Sequence, residues 1–129
     1  MATFTLHQTG RADASTVWQR YLHPRLWRTW SPQISSVECA DDAIAEGTTG
    51  VVHAVLGVSV PFRVTEVDSD AMRWSWIARL PLGVELRLTH TVDDVAFGTT
   101  TGLVVTGPAP VVLGYLPVAT LALRKLVRP

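Results

Sequence analysis

A chain of 129 residues, 47% hydrophobic and 17% charged, fits one domain with a large apolar core, because domains cluster at about 100–150 residues and average about 25% charged. Eleven basic residues balance eleven acidic ones, so no net field draws the chain to nucleic acid or to an anionic membrane. Cys39 is the single cysteine, which excludes an intramolecular disulfide and a cysteine-pair zinc site. The opening stretch lacks the basic start and apolar run of a signal peptide, so a cytoplasmic protein is expected.

The first residues alternate apolar and polar, with Phe4, Leu6 and Gln8 against Thr3, Thr5 and His7, and predict a strand near residues 2–9. Asp13 then suits an N-cap, and Val17, Trp18, Tyr21 and Leu22 recur at helical spacing over 14–22. Pro24 can open a second short helix. That helix holds Leu26, Trp27 and Trp30, with the two tryptophans on one face at i, i+3. Pro32 disfavours helical geometry at Ser31 and ends it.

From Ile34 the period returns to two, in six runs separated by turn residues: "ISSVECA", "GVVHAVLG", "SVPFRVTEVD", "MRWSWIARL", "GVELRLTHTV" and "FGTTTGLVVTG". Links this short predict hairpins and an antiparallel meander. No charged residue lies between Asp94 and Arg124, and "LVVTGPAPVVLGYLPVATLAL" is about as long as a membrane span. Its prolines and glycines make it instead the end of a strand, a turn and a buried helix from Pro110 to about Val127. On that helix Val111, Tyr115, Val118, Ala122 and Leu126 form one stripe, with Thr120, Arg124 and Arg128 opposite, and a kink is expected at Pro117. A seven-stranded sheet can curl, and only this last helix is long enough to cover its concave face.

Particular residues carry a family resemblance over nearly the whole chain. They are "ADASTVWQRYL", the W..W.P.I pattern of "WRTWSPQI", the turn region of Gly47 and Gly50, "VTEVDSDAMRWSW", and "LTHTVDD" followed by "GTTTGLVVTGPAP". With this element order the chain resembles the START-like or SRPBCC superfamily, in particular its polyketide cyclase/dehydrase-type proteins. The resemblance implies a single α+β domain over residues 1–129 with the helix-grip fold: a curved seven-stranded antiparallel sheet, two short helices, and a long C-terminal helix over a cavity. Its motifs are packing and turn residues, and the last helix is short against the family pattern.

Strand parity then selects the side chains that face the cavity. His90 lies in phase with Val84, Leu86, Leu88 and Val92, and is either a general acid or base or a neutral core histidine bonded to a neighbour. Tyr115 either presents its hydroxyl to a ligand or packs helix against sheet. Trp74 and Trp76 share a face with Met72 and Ala78, and Phe62 with Val60 and Val64; these are candidate walls for a flat apolar ligand. Trp27 and Trp30 wedge the rim, each able to bury about 150–250 Å2, with Trp30 also a candidate ligand wall and Val118 one on the helix. Glu66 is in phase with Phe62 and expected at the mouth, His53 is a further inward candidate, and Arg63 and Arg79 point to solvent.

No metal signature, nucleophile elbow, GxGxxG or P-loop occurs, so neither metal nor cofactor is expected. The first functional expectation is binding of a small hydrophobic molecule, lipid, aromatic or polyketide-like. The alternative implied by the resemblance is a cyclase or dehydratase in which His90 or Tyr115 moves a proton. Leu113, Pro117 and Leu121 form an apolar outer row on the last helix, which suggests a homodimer through it.

Overall fold

Every period-2 run becomes a strand, and all three predicted helices form. The computed structural model describes all residues from Met1 to Pro129. Its elements are β1 (Ala2–Gly10), α1 (Ala14–Leu22), one turn of 3-10 helix at Pro24–Leu26, α2 (Trp27–Trp30), β2 (Ile34–Cys39), β3 (Thr49–Ala54), β4 (Ser59–Asp68), β5 (Arg73–Leu80), β6 (Val84–Val95), β7 (Gly98–Gly107) and α3 (Ala109–Leu126). The strands form one sheet in the order β1-β7-β6-β5-β4-β3-β2, and every neighbouring pair is antiparallel. Hairpins carry the chain from β2 to β7, while the two short helices carry it from one edge of the sheet to the other.

In β1 the alternation places Phe4 and Leu6 against the core. On the other face Thr3 and Thr9 meet Thr106 and Thr100 of β7 at 2.9 and 2.7 Å. Asp13 occupies the N-cap of α1, but its side chain makes no capping bond. α1 buries Val17, Trp18 and Tyr21, and α2 buries Trp27 and Trp30. Ser31 is extended (φ −107°, ψ 101°), as the following Pro32 requires.

α3 lies across the concave face with Val112, Ala119, Ala122, Leu123 and Leu126 buried. This stripe shares Ala122 and Leu126 with the predicted one and is rotated from it by about half a residue, with Val111 and Tyr115 partly buried against the core. The helix is apolar nearly all round, so its period does not single out a face, and the small Ala119 and Ala122 allow the closest approach to the sheet. By length and composition α3 could cross a membrane; here its buried residues belong to the core. The helix runs on through Pro117, whose missing N–H leaves the Leu113 carbonyl unpaired on the exposed side.

The C-terminal end of α3 is held from two directions. Arg20 of α1 donates to the carbonyls of Leu126 and Arg128 at 2.6 and 2.5 Å, and Ala12 N–H donates to the Val127 carbonyl at 3.0 Å. A Cβ on Gly10 would stand 2.2 Å from that Val127 oxygen, and one on Gly98 would stand 1.9 Å from the Gly10 oxygen. Only glycine allows these backbones to approach so closely.

A candidate ligand cavity

Four tryptophans meet beneath α3. Trp27 stacks on Trp74 with centroids 5.6 Å apart, and Trp74 stacks on Trp76 at 5.6 Å. Trp30 meets Tyr21 edge to face at 5.5 Å. Three of the indoles donate to a protein acceptor: Trp27 to the Tyr21 carbonyl at 2.8 Å, Trp30 to the Arg20 carbonyl at 3.1 Å, and Trp76 to His90 Nε2 at 3.0 Å. The Trp74 Nε1–H is buried and has no partner.

His90 points inward, as β6 parity requires, and is 3% exposed. Because Nε2 accepts from Trp76, the ring proton sits on Nδ1, which donates to the Tyr21 hydroxyl at 3.2 Å. Tyr21 in turn donates to Thr101 Oγ1 at 2.5 Å, and Thr101 donates to the Thr91 carbonyl at 2.9 Å. The chain is complete, so neither ring nitrogen is free for a substrate. Burial pushes the His90 pKa down to about 3, which fixes it neutral at physiological pH. Burial also raises the Tyr21 pKa, against the opposing Thr101 bond and reinforced by nearby Tyr115. This geometry is the one that the neutral-core-histidine reading expects.

Two adjoining spaces lie between sheet and helix. An inner chamber of about 30 Å3 is lined by Trp27, Trp30, Trp74, Trp76, His90 and Tyr115, among others. An outer cavity of about 240 Å3 is lined by Val52, Ala54, Val60, Ala78, Leu80, Leu86 and Leu88, and is rimmed by the exposed Val55 and Val58. Gln33, Ile34, Trp76 and Tyr115 border both spaces. No charged side chain lines either one. The polar groups left without a protein partner are Gln33 Oε1, an acceptor, and Trp74 Nε1, a donor. The Tyr115 hydroxyl joins them, its pKa pushed up to about 12 by burial.

Of the residues singled out in the sequence, the structure brings Trp30, Trp74, Trp76, His90 and Tyr115 to these walls. Phe62 is buried but lines neither space, because Trp27 from α2 covers its ring at 5.2 Å. Val118 is half-buried on the flank of α3 and lies outside both, a consequence of the rotated stripe. Glu66 is on the outer face: a β-bulge between Val64 and Glu66 reverses the parity of β4, pairs Glu66 with Ser75, and sets it 3.6 Å from Arg73. His53 is also outward, with Nε2 3.0 Å from Glu38 and Nδ1 3.3 Å from Ser59, while Val52 turns inward. Arg63 and Arg79 are exposed, as expected. Gln33 escaped the sequence reading, since nothing local distinguishes a glutamine at a strand entrance from a solvated one. Tyr21 was legible only as part of an apolar stripe.

A curved antiparallel sheet gripped by a C-terminal helix over an uncharged hollow defines a helix-grip protein of the START-like class. The chain matches the family described as polyketide cyclase/dehydrase and lipid transport over residues 1–128, and it belongs to that family and to the SRPBCC superfamily. Among solved structures it is similar to Ara h 8.0201, at 15% identity and a TM-score of 0.78, covering 97% of this chain and 94% of that one. A protein from Nitrosospira multiformis gives 13% identity and a TM-score of 0.80, covering 98% and 94%. One from Chromobacterium violaceum gives 20% and 0.70, covering 98% and 97%. At these identities the likeness is one of fold. No curated protein matches the sequence.

Proposed function

We propose that the protein binds a small, uncharged, largely apolar molecule that carries one hydrogen-bonding end. The carrying observation is the pairing of an apolar cavity with a buried unpartnered acceptor and a buried unpartnered donor, Gln33 Oε1 and Trp74 Nε1, on two residues that line its inner chamber. A group that both donates and accepts, such as a hydroxyl, satisfies both atoms and removes the cost of leaving them buried and unpaired. An ionised carboxylate finds no cation there and loses its hydration without return. Size narrows the class further. About 240 Å3 exceeds the roughly 150 Å3 that holds benzene but falls short of the roughly 300–1,000 Å3 typical of drug-sized ligands. A single ring or a short acyl chain fits this space; a tetracyclic ligand requires α3 to move.

Calorimetry with para-propylphenol and para-propylbenzoate tests this reading. The phenol is expected to bind at least tenfold more tightly, and Trp74→Phe to remove most of that preference. Equal affinities would overturn the assignment.

The enzymatic alternative, a cyclase or dehydratase, now depends on Tyr115, because His90 is fully engaged. A hydroxyl with pKa about 12 serves as a hydrogen-bond donor to a carbonyl oxygen and not as a base at neutral pH. On that reading Tyr115→Phe abolishes turnover of a poly-β-ketone substrate, and unchanged turnover removes it. Self-association through α3 has its own support in the exposed Leu113 and Leu121, and sedimentation of a Leu113→Gln variant tests it.

A further inference from the structure

Two leucines stand where packing cannot explain them. Leu56 and Leu82 are 98% and 100% exposed at the tips of the β3–β4 and β5–β6 hairpins, and both have left-handed backbones (φ 66°). In each tip the next residue is a glycine, also left-handed. A leucine in this conformation is strained, whereas asparagine or glycine is not. Each leucine therefore costs stability and gains no contact within the chain.

The tips are neighbours. β4 and β5 are paired, so both hairpins turn at the same end of the sheet, and that end is where Val55 and Val58 rim the outer cavity. β7 also ends there and releases α3, whose first turns expose Pro110 and Leu113. Residues 54–62 and 80–84 contain no Lys, Arg, Asp or Glu. In the halves of the strands that run to this end, such residues are Arg63, Arg79, Arg87 and Glu85, all exposed. The opposite end carries Asp68, Asp70, Asp93 and Asp94 in its hairpins, interleaved with Arg11, Arg73 and, at the end of α3, Arg124, Lys125 and Arg128. The other end mixes both signs, whereas this one is an apolar tip with a collar in which Arg79 pairs with Glu85 at 3.7 Å and Arg63 and Arg87 remain in excess.

We propose that this end docks on an anionic phospholipid bilayer, with Leu56 and Leu82 entering the hydrocarbon boundary and the arginine collar meeting the headgroups. The cavity mouth then faces the bilayer, and an apolar ligand passes between them without crossing water. This last step rests on the cavity reading given above; the docking itself does not.

The test is cosedimentation with vesicles of equimolar phosphatidylglycerol and phosphatidylcholine, comparing wild type with Leu56→Asn/Leu82→Asn. Each leucine removed is expected to weaken partitioning about tenfold, and the pair about a hundredfold. The double variant melts at the same temperature as wild type or higher, because asparagine relieves the strained backbones. Phe97→Asn is the control: Phe97 is 97% exposed with φ 68°, but it lies at the opposite end of the sheet, and its variant sediments with vesicles as wild type does. Failure of wild type to sediment, equal sedimentation of the double variant, or an equal loss in Phe97→Asn overturns the proposal. So does a dimer dependent on Leu56 and Leu82 in place of vesicle binding. The double variant retains wild-type affinity for para-propylphenol. If that probe binds neither protein while the vesicle result holds, the cavity reading falls and the docking surface stands.

Discussion

Acid should weaken this protein through His90 in a way that a single substitution removes. The folded pKa is about 3, while an unfolded histidine titrates near 6.5. The depressed value means that below about pH 6.5 the unfolded chain binds a proton that the native chain refuses. Stability from this site is therefore complete above that pH and falls as pH drops toward 3, by about 1.4 kcal/mol per pH unit and on the order of 5 kcal/mol in all. His90→Phe abolishes the titration. At pH 7.5 the variant is expected to be about 1–3 kcal/mol less stable, chiefly because the Trp76 N–H loses its acceptor; Tyr21 keeps its bond to Thr101. The gap closes on acidification, and the two stability curves cross near pH 5 after about 2 kcal/mol has been lost from wild type. Urea unfolding followed by tryptophan fluorescence from pH 7.5 to 4 measures this, and carboxylate titration common to both proteins cancels in the difference. Parallel curves would falsify the assignment of His90 as a buried, neutral, fully bonded residue.

Three other substitutions probe the frame that holds the cavity. Gly98→Ala forces a methyl to within 1.9 Å of the Gly10 oxygen, and thermal denaturation should show a loss of at least about 4 kcal/mol or no folded protein. Arg20→Met removes both side-chain bonds to the end of α3; a loss of about 2–3 kcal/mol is expected, with faster hydrogen exchange confined to the last turn of the helix. Phe62→Ala should cost about 3–5 kcal/mol as a core truncation while leaving the phenol-over-benzoate preference intact, because its ring lies outside the cavity.

The fold was legible because period-2 runs, Pro32 and the short turns each act locally. Parity placed His90 correctly since β6 is regular over its whole inner face. It misplaced Glu66 because a bulge inserts one residue without a signature in the sequence, and every side chain beyond it changes face. The α3 stripe was right at Ala122 and Leu126 and off by about half a residue overall, because valine, leucine and alanine surround the helix, so docking on the sheet and not periodicity chose the buried side. The sequence left two readings of His90 open and did not name its partners: Tyr21 lies 69 residues away, and only the folded chain brings both ring nitrogens to a bond. Gln33 emerged as a candidate ligand contact, and the N–H of the already expected Trp74 as a candidate donor, for the same reason, through hydrogen bonds they do not make.

Titration of tryptophan fluorescence with para-propylphenol, in wild type and in Ala78→Phe, goes most directly to the claim that the hollow between α3 and the sheet receives a ligand. Ala78 is buried in the outer cavity wall, so a phenyl ring there occupies the ligand's volume, and Trp76 borders the site as a reporter. The account predicts a saturable one-to-one response in wild type that is lost in a folded Ala78→Phe protein. A flat titration in wild type, or an undiminished affinity in the filled variant, contradicts it.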